Sequence, residues 1–138
     1  MPIKENKALV RLYYELWNRR DVTPILELFA PEYVLHLTDI DIFLKQEKQV
    51  DTDYLTAFPD VITTVDDIVA EGDKVAVRVT WRGTHLGDFI GIPPTGKTFE
   101  MTNTAIFRIA DGKWAETWAT VDNLGLMQQL GVIPKPQT

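Results

Sequence analysis

The chain of 138 residues contains no cysteine and has two histidines, His36 and His85. Disulfides, thiol nucleophiles and thiolate metal ligands are therefore excluded together. A zinc or iron site would need carboxylates to complete it, and the segment HLTDID near His36 offers some. In an extended strand, however, His36 and Asp39 point to opposite faces. We therefore expect no metal site.

The sequence also lacks long apolar runs and clustered positive charge. No run approaches the roughly 18 residues of a membrane span, and the opening MPIKENK lacks the apolar core of a secretory signal. We therefore expect a cytoplasmic protein without membrane association. The net charge is −6 and the 14 Lys and Arg residues are scattered. This distribution argues against a nucleic-acid partner, which would require a basic patch.

Hydrophobic periodicity predicts helices first and a sheet afterwards, within one domain over residues 1–138 whose tail, 132–138, is loose. Apolar residues recur at helical spacing in the N-terminal part, and alternation with a period of two dominates after Pro59. The predicted helices are 4–18, a short one after Thr23-Pro24 that Pro31 stops, 45–58 and 123–130; the predicted strands are 33–37, 61–70, 74–84, 98–110 and 113–121. This order indicates an α+β fold, in which N-terminal helices cover a curved mixed or antiparallel sheet that forms a cone around a pocket.

The stretch WAETWATVDNLGLMQQLG joins the last strand to the last helix, with Asp122 between them. If alternation is unbroken, one face carries Trp114, Glu116, Trp118, Thr120 and Asp122. A carboxyl group beside aromatic surface has a raised pKa and can act as a general acid. Asp is also a favoured N-cap residue, and a helix is expected to start at the next position. Local sequence leaves both roles open.

Several other side chains are candidates for the pocket. His36 can bind a substrate carbonyl or tune Asp122, or it can tie a strand to a helix. His85 lies near the start of the Gly-rich loop 83–97, GTHLGDFIGIPPTGK, which we expect to form a lid or rim. His85 can bind the substrate, or it can make a structural hydrogen bond to the loop backbone. Asn103, an amide within an apolar strand, can orient a ligand carbonyl. The aromatic and sulfur-containing candidates, each of which can equally be plain core, are Tyr14, Trp17, Phe89, Met101 and Trp118.

Three stretches together resemble one family: LYYELWNRRD at 12–21, residues 58–97 with GTHLGDFIGIPPTGK, and DGKWAETWATVDNLGLMQQLG at 111–131. They look like the SnoaL-like polyketide cyclases of the nuclear transport factor 2-like superfamily. The resemblance implies a cone with a deep apolar pocket, a homodimer or higher oligomer, and an intramolecular aldol ring closure without metal or cofactor. It also implies that Asp122 is the acid/base. The charged segment DIDIFLKQEKQVD at 39–51 departs from the family pattern.

The sequence thus predicts a small cofactor-independent enzyme that performs ring closure or a related isomerisation on an apolar carbonyl compound, with Asp122 and His36 as its catalytic residues. Two alternatives remain open. One is a module that binds an apolar small molecule without converting it, and the other is a water-activating enzyme of the epoxide hydrolase type. Trp and Val residues on both faces of several strands predict a dimer formed through the sheet.

Overall fold

The computed structural model describes residues 2–38 and 40–134. Asp39 of the atypical segment and residues 135–138 of the predicted tail lie outside this part. The elements in chain order are α1 (Pro2–Asn18), α2 (Val22–Leu26), β1 (Phe29–His36), β2 (Asp41–Phe43), α3 (Leu44–Ala57), β3 (Ile62–Glu71), β4 (Lys74–Thr84), β5 (Thr98–Ala110), β6 (Lys113–Thr120) and α4 (Asn123–Gln129). The predicted α+β class is confirmed.

The strands of the described residues form a mixed sheet in the order β2-β1-β6-β5-β4-β3. The pairs β3–β4 and β5–β6 are hairpins, and the second turns at Asp111 and Gly112, whose φ angles are 52° and 72°. Two successive positive φ values are typical of the type I′ turn that matches strand twist. The strand β1 instead pairs with β6 in parallel. This pairing brings the N-terminal part of the chain beside the last strand.

The helices cover one face of the sheet. Helix α1 packs against β3 and β4, while α3 packs against β1 and β2. Val10, Tyr14 and Trp17 recur at helical spacing on α1 and are buried in a single core with Val77 and Val79 of β4. Burial of these apolar faces is what holds the two layers together. No helix in the described ranges is long and apolar enough to cross a membrane.

The predicted elements agree with the observed ones to within a few residues, except near Pro31. The short helix begins at Val22, with Asp21 as its N-cap, and it ends at Leu26 rather than running on to Pro31. Pro31 instead lies within β1, where the register to β6 shifts between Phe29 and Val34. A proline is tolerated in an irregular stretch of strand because no ladder hydrogen bond is required of it there. The short strand β2 was not predicted.

A bulge in β6 overturns the predicted face of the last strand. Ile109 pairs with Trp114 but Arg108 pairs with Glu116, so that Ala115 is an extra residue. Trp114 therefore points into the core and is fully buried, whereas Trp118 is 38% exposed on the opposite face of the sheet. The prediction that these two indoles share a face was wrong, because one extra residue reverses the alternation.

The Gly-rich loop is attached to the C-terminal end of α3. Leu86 N–H and Gly87 N–H both donate to the carbonyl oxygen of Ala57, at 3.0 and 3.1 Å. The approach requires glycine, since a Cβ atom on Gly87 would lie 2.2 Å from the carbonyl oxygen of Thr56. Residues of this loop are absent from the pocket lining described below. The loop covers the core rather than forming the predicted lid over the pocket.

Candidate functional site

A cavity of about 150 Å³ lies between the helical layer and the sheet. Its walls come from α1, α3 and the strands β1, β4, β5 and β6, and they are mainly aromatic and aliphatic. The aromatic lining residues are Tyr13, Tyr14, Trp17, Tyr33, Tyr54, Trp81 and Phe107. A concave apolar site with few polar groups is the usual form of a small-molecule site. We refer to this cavity as the internal pocket.

Two carboxyl groups from α3 line the internal pocket. Glu47 and Asp51 lie one helical turn apart and are 3% and 4% exposed. Glu47 Oε2 and Asp51 Oδ2 have no hydrogen-bond partner among the described residues. The described lining residues include no Lys, Arg or His. The acids are therefore buried without a cation to neutralise them.

Burial makes both acids hold their protons more tightly than in water. It raises the pKa of Glu47 to about 7. Burial, together with the negative charge of Glu47, raises the pKa of Asp51 well above its usual range. Two like charges in an apolar environment resist simultaneous ionisation. The pair therefore holds protons more tightly than exposed carboxyl groups do, and it can supply them inside the pocket.

The phenol groups of the pocket are neutral at physiological pH. Burial raises the pKa of Tyr13, and the nearby Asp51 adds to this effect. Burial likewise raises the pKa of Tyr14 and of Tyr54. The hydroxyl of Tyr33 is bonded to Oγ1 of Thr117, to which it donates at 3.0 Å. The walls thus combine flat apolar rings with uncharged hydroxyl groups.

Three predicted binding residues, Tyr14, Trp17 and Asn103, do line the internal pocket. The indole N–H of Trp17 is buried and has no hydrogen-bond partner within the described part of the chain. The side-chain oxygen of Asn103 accepts a hydrogen bond from the backbone N–H of Asp122 at 3.2 Å. Asn103 therefore links the pocket wall to the start of α4.

Asp122 lies at the rim, next to the lining residue Val121. Its side chain is exposed, and its Oδ1 accepts a hydrogen bond from Gly125 N–H at 2.9 Å. This is the N-cap of α4. A Cβ atom on Gly125 would lie 2.2 Å from Asp122 Oδ2, so the cap depends on glycine at that position. The carboxyl group is not part of the pocket lining, and its catalytic role stays a prediction.

His36 and Trp118 lie on the outer face of the sheet, away from the internal pocket. His36 contacts Asp41 through Nδ1 at 2.8 Å and Glu116 through Nε2 at 2.5 Å. These hydrogen bonds, that of Glu116 first, raise the pKa of His36. Its ring stacks on Trp118 with centroids 5.5 Å apart. Arg108 Nε also donates to Glu116, at 3.0 Å.

The remaining predicted residues, His85, Phe89 and Met101, are buried in the core outside the pocket. Nδ1 of His85 accepts from Thr95 N–H at 3.2 Å, while its Nε2 has no partner in residues 2–38 and 40–134. The ring of Phe58 packs beside it, with centroids 5.7 Å apart. His85 therefore holds the two ends of the Gly-rich loop together, the alternative that its sequence position had left open.

The sequence prediction did not include Glu47 and Asp51, although their spacing carries a signal. Together with Tyr54 and Phe58 they occupy positions i, i+4, i+7 and i+11 of the predicted helix, and so share one face. Tyr54 and Phe58 indicate that this face is the buried one. Two acids on the buried face of a helix are unusual, because unpaired charges are costly to bury.

Comparison with known proteins points to a single family. The model of the SnoaL-like polyketide cyclases matches residues 7–130. The aklanonic acid methyl ester cyclase DnrD of Streptomyces peucetius is 35% identical over 60 residues, which are 44% of this chain and 41% of that protein. The chain thus matches about two fifths of the length of this curated relative.

Solved structures resemble the whole fold. The crystal structure of AclR, a candidate hydroxylase from Streptomyces galilaeus, has a TM-score of 0.91 at 32% identity. The match covers 99% of this chain and 87% of the AclR chain. The crystal structure of IdmH, a candidate polyketide cyclase from Streptomyces antibioticus, has a TM-score of 0.79 at 38% identity. This match covers 91% of this chain and 98% of the IdmH chain. The predicted family resemblance is confirmed.

Proposed function

Because this chain belongs to the SnoaL-like polyketide cyclase family, we propose that it is an acid/base enzyme that closes a ring in an apolar, carbonyl-containing small molecule. The observation that carries the proposal is an apolar, aromatic-lined cavity that contains two buried carboxyl groups, whose pKa values are raised by burial. Aromatic walls suit a flat conjugated substrate, and a proton source inside them suits a carbonyl electrophile.

An intramolecular aldol closure needs a proton transfer but no change of oxidation state. An enol or α-carbon of the substrate loses its proton and forms a carbon–carbon bond to the carbonyl carbon. The carbonyl π bond breaks, and its oxygen takes up a proton and becomes a hydroxyl group. A positioned acid or base contributes about 10² to 10⁴ in rate, and holding the two ends of the substrate together contributes further.

The proposed substrate is neutral, and the part of it that enters the pocket is small. A cavity of about 150 Å³ is below the roughly 300 to 1,000 Å³ of typical ligand sites. It accommodates about one ring, so the rest of a larger molecule would extend past the rim at Val121. A neutral ketone or ester is favoured over a free acid, since a further anion would be repelled by an ionised Glu47 or Asp51.

Two sets of carboxyl groups compete for the acid role. The family resemblance implies Asp122, whose backbone borders the pocket through Val121 and the hydrogen bond to Asn103. The pocket itself contains Glu47 and Asp51. Substitution of each carboxyl, described below, separates these assignments.

The test of ring closure is incubation of the purified protein with aklanonic acid methyl ester and a panel of related ketones and esters, followed by chromatography and mass spectrometry. We expect a new product of unchanged mass, because ring closure is an isomerisation. Recovery of bound but unaltered ligand would favour the binding module. A product heavier by one water would favour epoxide hydrolysis, and one heavier by one oxygen atom would favour hydroxylation.

We further propose that two copies pair through the outer face of the sheet. A groove there is lined by residues of β1, β3, β4, β5 and β6. Val69, Ile106 and Trp118 on this face are 63%, 42% and 38% exposed. Exposed apolar groups on a broad sheet face favour burial against a second copy. The corresponding experiment is given in the Discussion.

A further inference from the structure

Helix α3 turns two acids toward an apolar cavity and leaves each with an unpartnered oxygen. Both side chains are more than nine-tenths buried, and Glu47 Oε2 and Asp51 Oδ2 accept no hydrogen bond from the described residues. A helix of this length could bury apolar side chains at the same positions and be more stable. The unsatisfied oxygens point instead to a ligand that supplies the missing hydrogen bonds.

We propose that Glu47 and Asp51 form the catalytic acid–base pair of the ring closure, in which the ionised member removes the proton from carbon and the protonated member donates a proton to the carbonyl oxygen. The proposal rests on the function proposed above and assigns its chemistry to residues of the atypical segment. It differs from the family-based assignment, which places the acid at Asp122.

Apart from the pair itself, the described residues that line the pocket carry no charged side chain. Tyr13 and Tyr14 of α1, Tyr33 of β1 and Tyr54 of α3 line the same pocket. These phenols stay neutral, because burial raises the pKa of each. No described Lys, Arg or His lines the pocket. Protonation of each acid is therefore governed by burial and by the other acid.

The two roles follow from the proximity of the acids in one apolar pocket. Burial raises the pKa of Glu47, and burial together with the negative charge of Glu47 raises the pKa of Asp51. Because two like charges resist simultaneous ionisation, loss of one proton strengthens the hold on the other. A pair with one ionised and one protonated member supplies both the base and the acid that the two proton transfers require.

The proton inventory balances over one cycle. The ionised acid takes a proton from the nucleophilic carbon as the new carbon–carbon bond forms, and the protonated acid gives its proton to the oxygen of the breaking carbonyl π bond. The two acids have then exchanged protonation states. A proton transfer between them, direct or through one water, restores the starting state. No oxidant, reductant or other reactant is consumed.

The test compares Glu47→Gln and Asp51→Asn with Asp53→Asn, using aklanonic acid methyl ester as the probe. Asp53 is a matched control, because it lies on the exposed face of α3 and bonds only to Gln49 in the described structure. We expect kcat to fall about 10²- to 10⁴-fold in each pocket variant, with KM changed by less than about threefold. We expect Asp53→Asn to match the wild type.

The two possible failures are distinguishable. If the wild type converts the ester and either pocket variant keeps the wild-type kcat, the pair is not the acid and base, although the cyclase function stands. If the wild type converts no ester, the ring closure fails for this probe and the pair fails with it. Carboxyl ¹³C NMR of the wild-type protein supplies a check that needs no variant to fold. We expect one of the two buried carboxyls to be protonated at pH 7, and finding both ionised would overturn the proposal.

Discussion

Asp122 and Glu47 are both acids near the internal pocket, but their surroundings differ. Asp122 is exposed to water and accepts a hydrogen bond from the backbone of α4, whereas Glu47 is buried among aromatic rings. Burial raises the pKa of Glu47, because loss of solvent disfavours its charged form. At the level of single residues, Asp122 is thus placed as a helix cap and Glu47 as a buried acid of the pocket.

For Asp122, two substitutions separate the cap from catalysis. Asparagine caps helices about as well as aspartate, so we expect Asp122→Asn to unfold at the wild-type urea concentration. Loss of the cap in Asp122→Ala should cost about 1 kcal/mol in the free energy of unfolding. Since the carboxyl lies outside the pocket lining, we expect Asp122→Asn to keep kcat within about threefold. A fall of about a hundredfold in kcat at unchanged stability would instead support Asp122 as the acid.

For Glu47, burial predicts a pH-dependent gain of stability on substitution. The unfolded chain releases the proton near its ordinary pKa of 4.5, whereas the folded state retains it up to about 7. Between these values the unfolded state binds fewer protons, so wild-type stability falls as pH rises. We expect Glu47→Gln to be more stable than the wild type by about 3 kcal/mol at pH 8, and to match it at pH 4.5. Urea titrations at both pH values measure this difference.

A loss of stability in Glu47→Gln, rather than the expected gain, would contradict the burial argument. If Glu47→Gln were less stable than the wild type at pH 8, the ionised carboxylate would have a stabilising partner in the folded protein. The exposed control Asp53→Asn should show no comparable pH dependence, because its side chain stays in contact with water. This comparison separates an effect of burial from a general effect of removing negative charge.

Among the elements, β1 depends on polar contacts as well as on backbone pairing. His36 at its end bonds to Asp41 of β2 and to Glu116 of β6. The histidine thus connects three adjacent strands on the outer face of the sheet. We propose that the role of His36 is to hold β1 to its two neighbouring strands. The strand β1 also supplies Tyr33 and Leu35 to the pocket.

The His36 contacts predict that the free energy of unfolding declines in mildly alkaline solution. Hydrogen bonds to Glu116 and Asp41 raise the folded-state pKa of His36 above its ordinary value of 6.5. The folded state therefore binds the proton more tightly, and this contribution is fully present below pH 6.5 and is lost as pH rises through the folded-state pKa. We expect thermal melting of His36→Gln to be lowered most at pH 6 and least at pH 9. An equal loss at both pH values would show that charge on His36 contributes nothing.

At the scale of the whole molecule, the sheet has one face covered by helices and one face open. The open face combines the apolar groups Val69, Ile106 and Trp118 with the charged cluster around Glu116. Charged groups beside an apolar patch can fix the orientation of a partner while the apolar groups provide most of the binding energy. Pairing of two copies through this face would leave the internal pockets on the far sides of the sheets.

The proposed pairing is tested by placing a charge in the open face. We expect Ile106→Glu to halve the molar mass measured by size-exclusion chromatography with light scattering, because burying an unpaired carboxylate at an interface is costly. Ile90→Glu is the matched control, since Ile90 is 80% exposed on the Gly-rich loop, away from the sheet face. A wild-type protein that is monomeric at all concentrations, or an Ile106→Glu dimer, would contradict the proposal.

The sequence by itself determined the features that depend on near neighbours. Helical spacing located α1 and α3, the Asp111-Gly112 pair located a hairpin, and Asp122 was correctly identified as a possible cap. The motifs of the Gly-rich loop and the last strand also identified the family. Periodicity and turn chemistry act over a few residues, so a linear sequence displays them directly.

The tertiary structure decided which side chains meet in the pocket. One extra residue at Ala115 put Trp118 on the face of β6 opposite to that of Trp114. The parallel pairing of β1 with β6 and the packing of α3 placed Glu47 and Asp51 in an apolar cavity. The desolvation that raises their pKa values comes from residues distant in sequence. Spacing along α3 shows that the two acids share a face, but what covers that face depends on the packing of the whole chain.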